Sequence, residues 1–352
     1  MSDQSLSLQQ QVKENIERGR PMQITAGNSK LFYAHEISGE ALSVKEHFGI
    51  IDYEPTELVI TARCGTRLQD LESTLAEQNQ MLAFEPPAYS KHATLGGCIA
   101  AGLSGPRRPF AGAVRDASLG IRMINGTGEI LKFGGTVMKN VAGYDVSRLM
   151  VGSMGTLGII LDTSLKIVPR PETEITTCYE LTERASISRV NKICAQAYPV
   201  SATCFDGTQL FLRLSGTESG VNKSLDMLGG ETLKDATSFW KDLKNQRHSF
   251  FNSTKRIWRL SLKPATPPLE IMGEQLIEWH GAQRWLTSDQ NPEIIREIIN
   301  QHGGHAIIFK NAKEDDLVFH PISGILHQLH MNLKLAMDPK CMFNLYRMYE
   351  GF

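Results

Sequence analysis

The 352-residue chain lacks an excess of charge of either sign: 37 lysines and arginines stand against 38 aspartates and glutamates. That balance excludes the basic footprint by which a binder of nucleic-acid backbones is recognised, and Arg107-Arg108 is the only adjacent basic pair in the first half. Its six cysteines (Cys64, Cys98, Cys178, Cys194, Cys204 and Cys341) contain no Cys-x-x-Cys and no zinc spacing. Scattered thiols suit a reduced, cytoplasmic protein better than a disulfide framework, and they leave no four clustered thiolates for an iron–sulfur centre. No run of about 18 apolar residues occurs, so no segment is expected to span a membrane. The polar stretch 1–20 has no apolar core of the kind a signal peptide needs.

What the chain does have is length for two domains, an ordinary 41% hydrophobic content and 30 glycines. Residues 5–18 read as a helix with Leu6, Val12 and Ile16 on one face, followed by a short strand at 22–25. Residues 57–63 form a confident strand pattern, and Thr66 with Gln69 has capping-box spacing ahead of Leu68, Leu71 and Leu75. A strand is expected to begin at 81–84 and to break at Pro86-Pro87. Strands at 119–124 and 129–133 flank an Asn125-Gly126 turn, and a strand at 158–168 ends at Pro169-x-Pro171, a candidate domain boundary. Beyond it, strands at 176–181, 209–214 and 257–262 alternate with helices at 184–197 and 292–301, which suits an α+β module. A last helix is expected at 322–336.

Three glycine-bearing stretches carry the chemistry. Gly27, Asn28, Ser29 and Lys30 follow a strand directly, where a glycine lets backbone N–H groups turn toward an anion. Thr94, Leu95, Gly96, Gly97, Cys98, Ile99, Ala100, Ala101 and Gly102 fit neither the dinucleotide fingerprint nor a Walker loop. Their small side chains allow a flat or elongated ligand to lie against the main chain. Gly152, Ser153, Met154, Gly155, Thr156, Leu157 and Gly158 place a glycine every third residue ahead of a β-branched strand. Singly, these stretches also admit structural readings, as a turn, a close helix contact and a bulged strand entry respectively. Together they suggest one long, polyphosphate-linked cofactor touching all three.

The ordered motifs Glu85-Pro86-Pro87, Thr94-Leu95-Gly96-Gly97, Gly105-Pro106-Arg107-Arg108-Pro109, Gly112-Ala113-Val114-Arg115-Asp116 and Lys139-Asn140-Val141-Ala142-Gly143-Tyr144-Asp145 resemble the PCMH-type, vanillyl-alcohol-oxidase-like flavoproteins. Within that superfamily they are similar to the FAD-binding subunits of bacterial glycolate oxidases. The resemblance continues at Trp258-Arg259-Leu260, Gly281-Ala282-Gln283-Arg284-Trp285 and Asp338-Pro339. It implies an α+β fold: a two-part FAD-binding domain over 1–171, an α+β cap domain over 172–320, and a tail, 321–352, returning to the FAD domain. By the same resemblance Gly27 to Lys30 would hold the pyrophosphate. Pro87, Thr94, Leu95, Gly96, Gly97, Ala100, Ala101, Gly105, Gly112, Arg115 and Asp116 would line the pyrophosphate and ring. Gly152, Ser153, Gly155, Thr156, Gly158, Ile159 and Ile160 would enclose the adenosine end. Many such proteins tether the flavin through histidine or cysteine. No histidine lies in the Gly27 loop here, and non-covalent FAD is expected. The tail reads Phe343-Asn344-Leu345-Tyr346-Arg347 where relatives carry Asn-Pro-Gly.

The implied reaction oxidises glycolate or a similar short 2-hydroxy acid to the 2-oxo acid. It needs a cation for the carboxylate, a base for the hydroxyl and a hydride acceptor. Arg259 and Arg284, each beside a tryptophan, are the carboxylate candidates because a guanidinium pairs bidentately. For the base, His320, His327 and His330 cluster near the tail, but with no contiguous histidine motif they read as ordinary surface or core histidines; no base is assigned and no metal is expected. Tyr144-Asp145 lies in a well-matched motif without an assigned task. The resemblance also implies a sister FAD subunit and an iron–sulfur subunit that pass electrons toward quinone, and a cytoplasmic chain that meets the membrane only through that complex. Two other readings stay open: a non-catalytic FAD relay or assembly subunit, and a nicotinamide-dependent reductase on the same fold.

Overall fold

The computed structural model describes residues 2–136 and 145–351. The chain divides into two compact units, one of residues 1–104, 112–170 and 322–352, the other of residues 105–111 and 171–321.

The first unit is itself two-part. Helix Ser5–Glu17 buries Leu8 and Val12, one turn apart, in a core with Met22 of strand Met22–Thr25 and Leu42 of the parallel strand Glu40–Ser43. An antiparallel sheet follows, ordered Ile50–Glu54, Val59–Arg63, Ile159–Lys166, Ser118–Ile124, Ile130–Gly134. Its middle strand, Ile159–Lys166, is buried along almost its whole length because both faces are covered. Ile160 and Leu165 join a core with Leu68, Leu71 and Leu75 of helix Leu68–Glu77 and Ile99 of helix Leu95–Ala101. Ile159 and Leu161 join the other core, with Leu8, Met22 and Phe343. One strand thus fastens two hydrophobic layers whose combined burial excludes water from either side.

Two local expectations fail. The helix at Leu68 takes Arg67 as its N-cap with no side-chain cap bond, because Thr66 Oγ1 is already engaged by the Gly49 amide at 2.9 Å. The strand expected over 81–84 shrinks to Gln80–Met81, whose partner Val168–Pro169 offers only two residues. Leu82 and Phe84 still bury in the core, and Glu85 turns the chain at φ 47°.

The second unit is an eight-stranded antiparallel sheet ordered Glu231–Thr232, Thr173–Glu180, Gln209–Gly216, Val200–Phe205, Glu274–Glu278, Gln283–Thr287, Ile257–Ser261, His305–Lys310. One face carries Trp258 and Leu260 into a core with Ile295 and Ile299 of helix Pro292–Gln301. Pairings Arg259↔Trp285, Glu278↔Gln283 and Ser261↔His305 put those side chains on the opposite face. The segment 105–111 docks within this unit: Arg107 pairs with Glu174 at 2.5 Å, and Phe110 packs with Ile193 and Leu212.

Candidate functional site

The strand Met22–Thr25 ends in a loop whose conformation is set by Gly27 and by Asn28 at φ 50°. A Cβ on Gly27 would fall 1.6 Å from the His92 carbonyl oxygen, so only glycine lets the loop lie this close to its neighbour. Among the described residues the amides of Gly27, Asn28, Ser29 and Lys30 donate to no acceptor. The Lys30 Nζ is also buried without a hydrogen-bond partner; the nearest compensation is the Tyr89 ring, 5.7 Å from its centroid. Burial pushes the Lys30 ammonium below its ordinary pKa. A strand-end nest of amides with an unmatched cation is a site for phosphate oxygens.

This loop forms one wall of a cleft with about 890 Å³ of atom-free space, counted out to its open side. Thr94, Gly96, Gly97, Ala100 and Ala101 supply a second wall, and Gly155, Gly158 and Ile160 a third. The three stretches singled out in the sequence therefore meet. In helix Leu95–Ala101, Thr94 Oγ1 caps the Gly97 amide at 3.3 Å and Gly102 closes the helix at φ 64°. The adjacent glycines do different work. A Cβ on Gly96 would sit 2.8 Å from Cys64 Cβ, which is close helix packing, whereas one on Gly97 would meet only Thr94 Oγ1, at 3.3 Å. An elongated anionic cofactor fits this cradle: it answers the four unengaged amides and the buried ammonium, and it takes the space a Gly97 side chain would fill.

The remaining sequence candidates lie elsewhere. Pro87, Leu95, Gly112, Arg115, Asp116, Gly152, Ser153, Thr156 and Ile159 do not line this cleft. Leu95 and Ile159 are core residues, and Asp116 Oδ2 accepts the Ala113 amide at 2.8 Å to fix its own loop. The amides of Gly152 and Met154 bond to the carbonyls of Ile99 and Ala100 instead of facing a ligand. Gly105 belongs to the second unit, where its carbonyl accepts the Trp279 indole N–H at 3.1 Å. Of the motif 139–145, residues 139–144 lie outside the described residues; Asp145 accepts the Arg148 amide as a helix cap.

Sequence reasoning missed the cleft's tail wall. Asn344 and Arg347 line the cleft from the C-terminal segment. Asn344 accepts the Ile24 amide at 2.8 Å and donates to the Met154 carbonyl at 2.7 Å, joining two walls. Arg347 donates to the carbonyls of Tyr33 and His35, both at 2.6 Å. No local pattern marks these residues, because their partners lie more than 180 positions away.

The two arginine candidates lie on opposite faces of the second unit's sheet. Arg284 is fully buried, with its guanidinium engaged by the carbonyls of Thr266, Pro267 and Gly281, so it has no face for a substrate. Arg259 is half-buried; its Nε donates to Gln283 Oε1 at 2.8 Å, and its guanidinium lies 5.3 Å from the Trp279 ring centroid. His305 shares the Arg259 face, and desolvation followed by the Arg259 charge holds its imidazole below its ordinary pKa. His320 neighbours His305, with ring centroids 6.2 Å apart, while His327 and His330 sit on helix Gly324–Met337 of the first unit. Among the described residues no three His, Cys, Asp or Glu side chains gather as metal ligands, and no helix is long and apolar enough to cross a membrane.

The parallel strand pair, the antiparallel sheet and the amide-lined cleft define a FAD-binding flavoprotein of the PCMH type. Residues 5–147 match the family described as "FAD binding domain". The solved structure of alkyldihydroxyacetonephosphate synthase shares the fold, with a TM-score of 0.67 over 96% of this chain and 75% of that one at 14% identity. The chain is 44% identical to glycolate oxidase subunit GlcE of Escherichia coli K12 over 99% of its own length and 98% of that protein, and it belongs to that family of FAD-linked oxidoreductases. It is also 33% identical to glycolate oxidase subunit GlcD of Bacillus subtilis, over 49% of this chain and 37% of that protein. A D-lactate dehydrogenase of Anaerostipes hadrus is 36% identical over 39% of this chain and 28% of that enzyme.

Proposed function

We propose that this chain is the FAD-carrying subunit of a complex that oxidises glycolate or a similar short 2-hydroxy acid to the 2-oxo acid. The observation that carries the reading is the unengaged amide nest at Gly27 to Lys30, walled by Gly97 and Gly155. In this reading the Gly27 to Lys30 amides and the Lys30 ammonium hold the pyrophosphate, and Gly97 leaves the main chain open to the rest of the cofactor. FAD, held without a covalent bond, supplies the hydride acceptor. Arg259 fixes the substrate carboxylate, and the imidazole of His305, whose pKa desolvation and then the Arg259 charge lower, takes the hydroxyl proton. Electrons leave through a sister flavoprotein and an iron–sulfur subunit toward quinone, and contact with the membrane comes only through those partners.

A second reading, a relay or assembly subunit, is favoured by one observation. Of the two arginines expected to face substrate, only Arg259 has a guanidinium not already committed to main-chain carbonyls. Assaying the isolated chain with glycolate and an artificial electron acceptor separates the two. Turnover without the sister subunit excludes the relay; its absence in the isolated chain, with turnover in the complex that survives Arg259→Ala, excludes catalysis here. Acid precipitation tests the cofactor: a yellow supernatant means free FAD, a yellow pellet a covalent bond.

A further inference from the structure

We propose that Gln283 and Glu278 are positioning residues that set the direction of the Arg259 guanidinium, so that its two terminal nitrogens form a preorganised receptor for a single carboxylate. The inference rests on the carboxylate-binding reading of Arg259 given above. Glu278 is 5% exposed and its Oε2 accepts from two donors, Gln283 Nε2 at 3.1 Å and Trp285 Nε1 at 2.5 Å. A carboxylate can only accept, so Gln283 must turn its NH₂ group toward Glu278. That leaves Oε1 as the only end of the amide that can meet Arg259, and Oε1 accepts the Arg259 Nε–H at 2.8 Å. The relay therefore has one polarity. Gln283 is 3% exposed, which fixes its rotamer by packing.

With Nε held from behind, the planar guanidinium is fixed at one corner and its terminal nitrogens have no hydrogen-bond partner among the described residues. The Trp279 ring lies beside it, 5.3 Å from the guanidinium carbon to the ring centroid, and offers no acceptor that would compete for its donors; the Arg108 guanidinium approaches the same ring, at 4.4 Å. Trp279 is itself fixed. Its backbone and that of His280 lie at φ 51° and 47°, and its indole N–H is anchored on the Gly105 carbonyl. Left-handed conformations at two consecutive non-glycine residues are strained, and this strained turn places the indole against Arg259. A fork held in this manner loses little side-chain entropy on binding a carboxylate.

The test is a double-mutant cycle on the full-length, FAD-loaded chain, read by calorimetry with oxalate, a non-oxidisable carboxylate probe. Arg259→Ala should weaken oxalate binding by about 100-fold. Gln283→Met, which keeps the volume but can neither give nor take a hydrogen bond of comparable strength, should weaken it by about tenfold. In the assembled enzyme it should raise KM for the hydroxy acid in proportion while changing kcat by less than about threefold. In the Arg259→Ala background Gln283→Met should have no further effect, which separates positioning from a general structural role. Glu278→Gln serves if Gln283→Met does not fold: an amide at 278 can give as well as accept, so Gln283 loses its fixed polarity, and oxalate binding should weaken by about threefold. If Arg259→Ala weakens binding but Gln283→Met and Glu278→Gln do not, or if their effects persist without Arg259, the relay is wrong and the carboxylate reading stands. If Arg259→Ala leaves oxalate binding unchanged, the carboxylate reading fails with it.

Discussion

Lys334 and Asp338, one turn apart at the end of helix Gly324–Met337, form an ion pair of 2.7 Å in which neither side chain is exposed at all. Each is satisfied beyond the pair. Lys334 Nζ also donates to the carbonyls of Thr156, at 2.6 Å, and Phe343, at 2.9 Å, while Asp338 accepts the amides of Met342 and Phe343. The pair thereby joins the C-terminal segment to the Gly152–Gly158 loop and seats Asn344 in the wall of the cleft. Removing one partner of a buried pair leaves an uncompensated charge and typically costs about 3–5 kcal/mol. Lys334→Met is therefore expected to lower the melting temperature of the first unit and to expose the tail to proteolysis. Hydrogen exchange at residues 340–347 checks it, and unchanged protection there would contradict the assignment.

Lys30 carries a buried ammonium without a hydrogen-bond partner. Replacing it with methionine removes a charge that burial disfavours, so the cofactor-free protein should melt at the same temperature or higher. FAD affinity should fall at least about tenfold, since a charge-assisted bond to phosphate is lost. Flavin fluorescence titration against apo-protein measures the second effect, and calorimetric melting the first.

Gly96 and Gly97 offer a sharper contrast. Gly96→Ala brings a Cβ to 2.8 Å from Cys64 Cβ and 3.0 Å from its carbonyl oxygen, so it should destabilise the fold, by about 1–3 kcal/mol for an overpacked core. Gly97→Val enters the cleft, where only Thr94 Oγ1 stands near, and should give a folded but colourless protein. A Gly97→Val protein with full flavin absorbance would show that the second stretch does not touch the cofactor.

Asp3 fastens the start of the chain to the sheet. Its carboxylate accepts the Ser5 hydroxyl at 2.5 Å and the Ser5 amide at 2.9 Å, and it pairs with Arg63 at 3.3 Å. These bonds, the Ser5 hydroxyl foremost, hold its pKa well below the usual carboxylate range, against a smaller opposing effect of burial. A depressed folded-state pKa means the stabilisation is fully present above the unfolded-state value, near 3.9, and is lost as pH falls through the folded one. Protection of helix Ser5–Glu17 in hydrogen exchange should decline as pH drops below about 4. The decline should be weaker in Asp3→Asn, which lacks the titrating group.

Much of the first unit was legible because its signals are local. Glycine after a strand, the Asn125-Gly126 turn, and the 3.6-residue spacing of Leu68, Leu71 and Leu75 each act within a few residues, and the strands and helices they imply are present. The failure of the Thr66 capping box was not recoverable, because the Gly49 amide that donates to its hydroxyl oxygen lies 17 residues away, just ahead of strand Ile50–Glu54. The same reason hid five strands of the second unit's sheet: Val200–Phe205, Glu231–Thr232, Glu274–Glu278, Gln283–Thr287 and His305–Lys310. Strand residues are stabilised by cross-strand neighbours more than by intrinsic preference.

The sequence by itself determined where backbone could lie bare, since only glycine tolerates contacts such as that of Gly27 with the His92 carbonyl. It determined too that charge, thiols and apolar runs would not supply the chemistry. Tertiary structure alone decided that parts of all three glycine-bearing stretches share one cleft and that Asn344 and Arg347 line it. It also decided between Arg259 and Arg284, two residues that look alike beside their tryptophans. The register of strands Ile257–Ser261 and Gln283–Thr287 puts them on opposite faces of one sheet, one toward Gln283 and the other into the core. That choice depends on contacts between distant segments, whose loop-closure entropy and packing no short window of sequence contains.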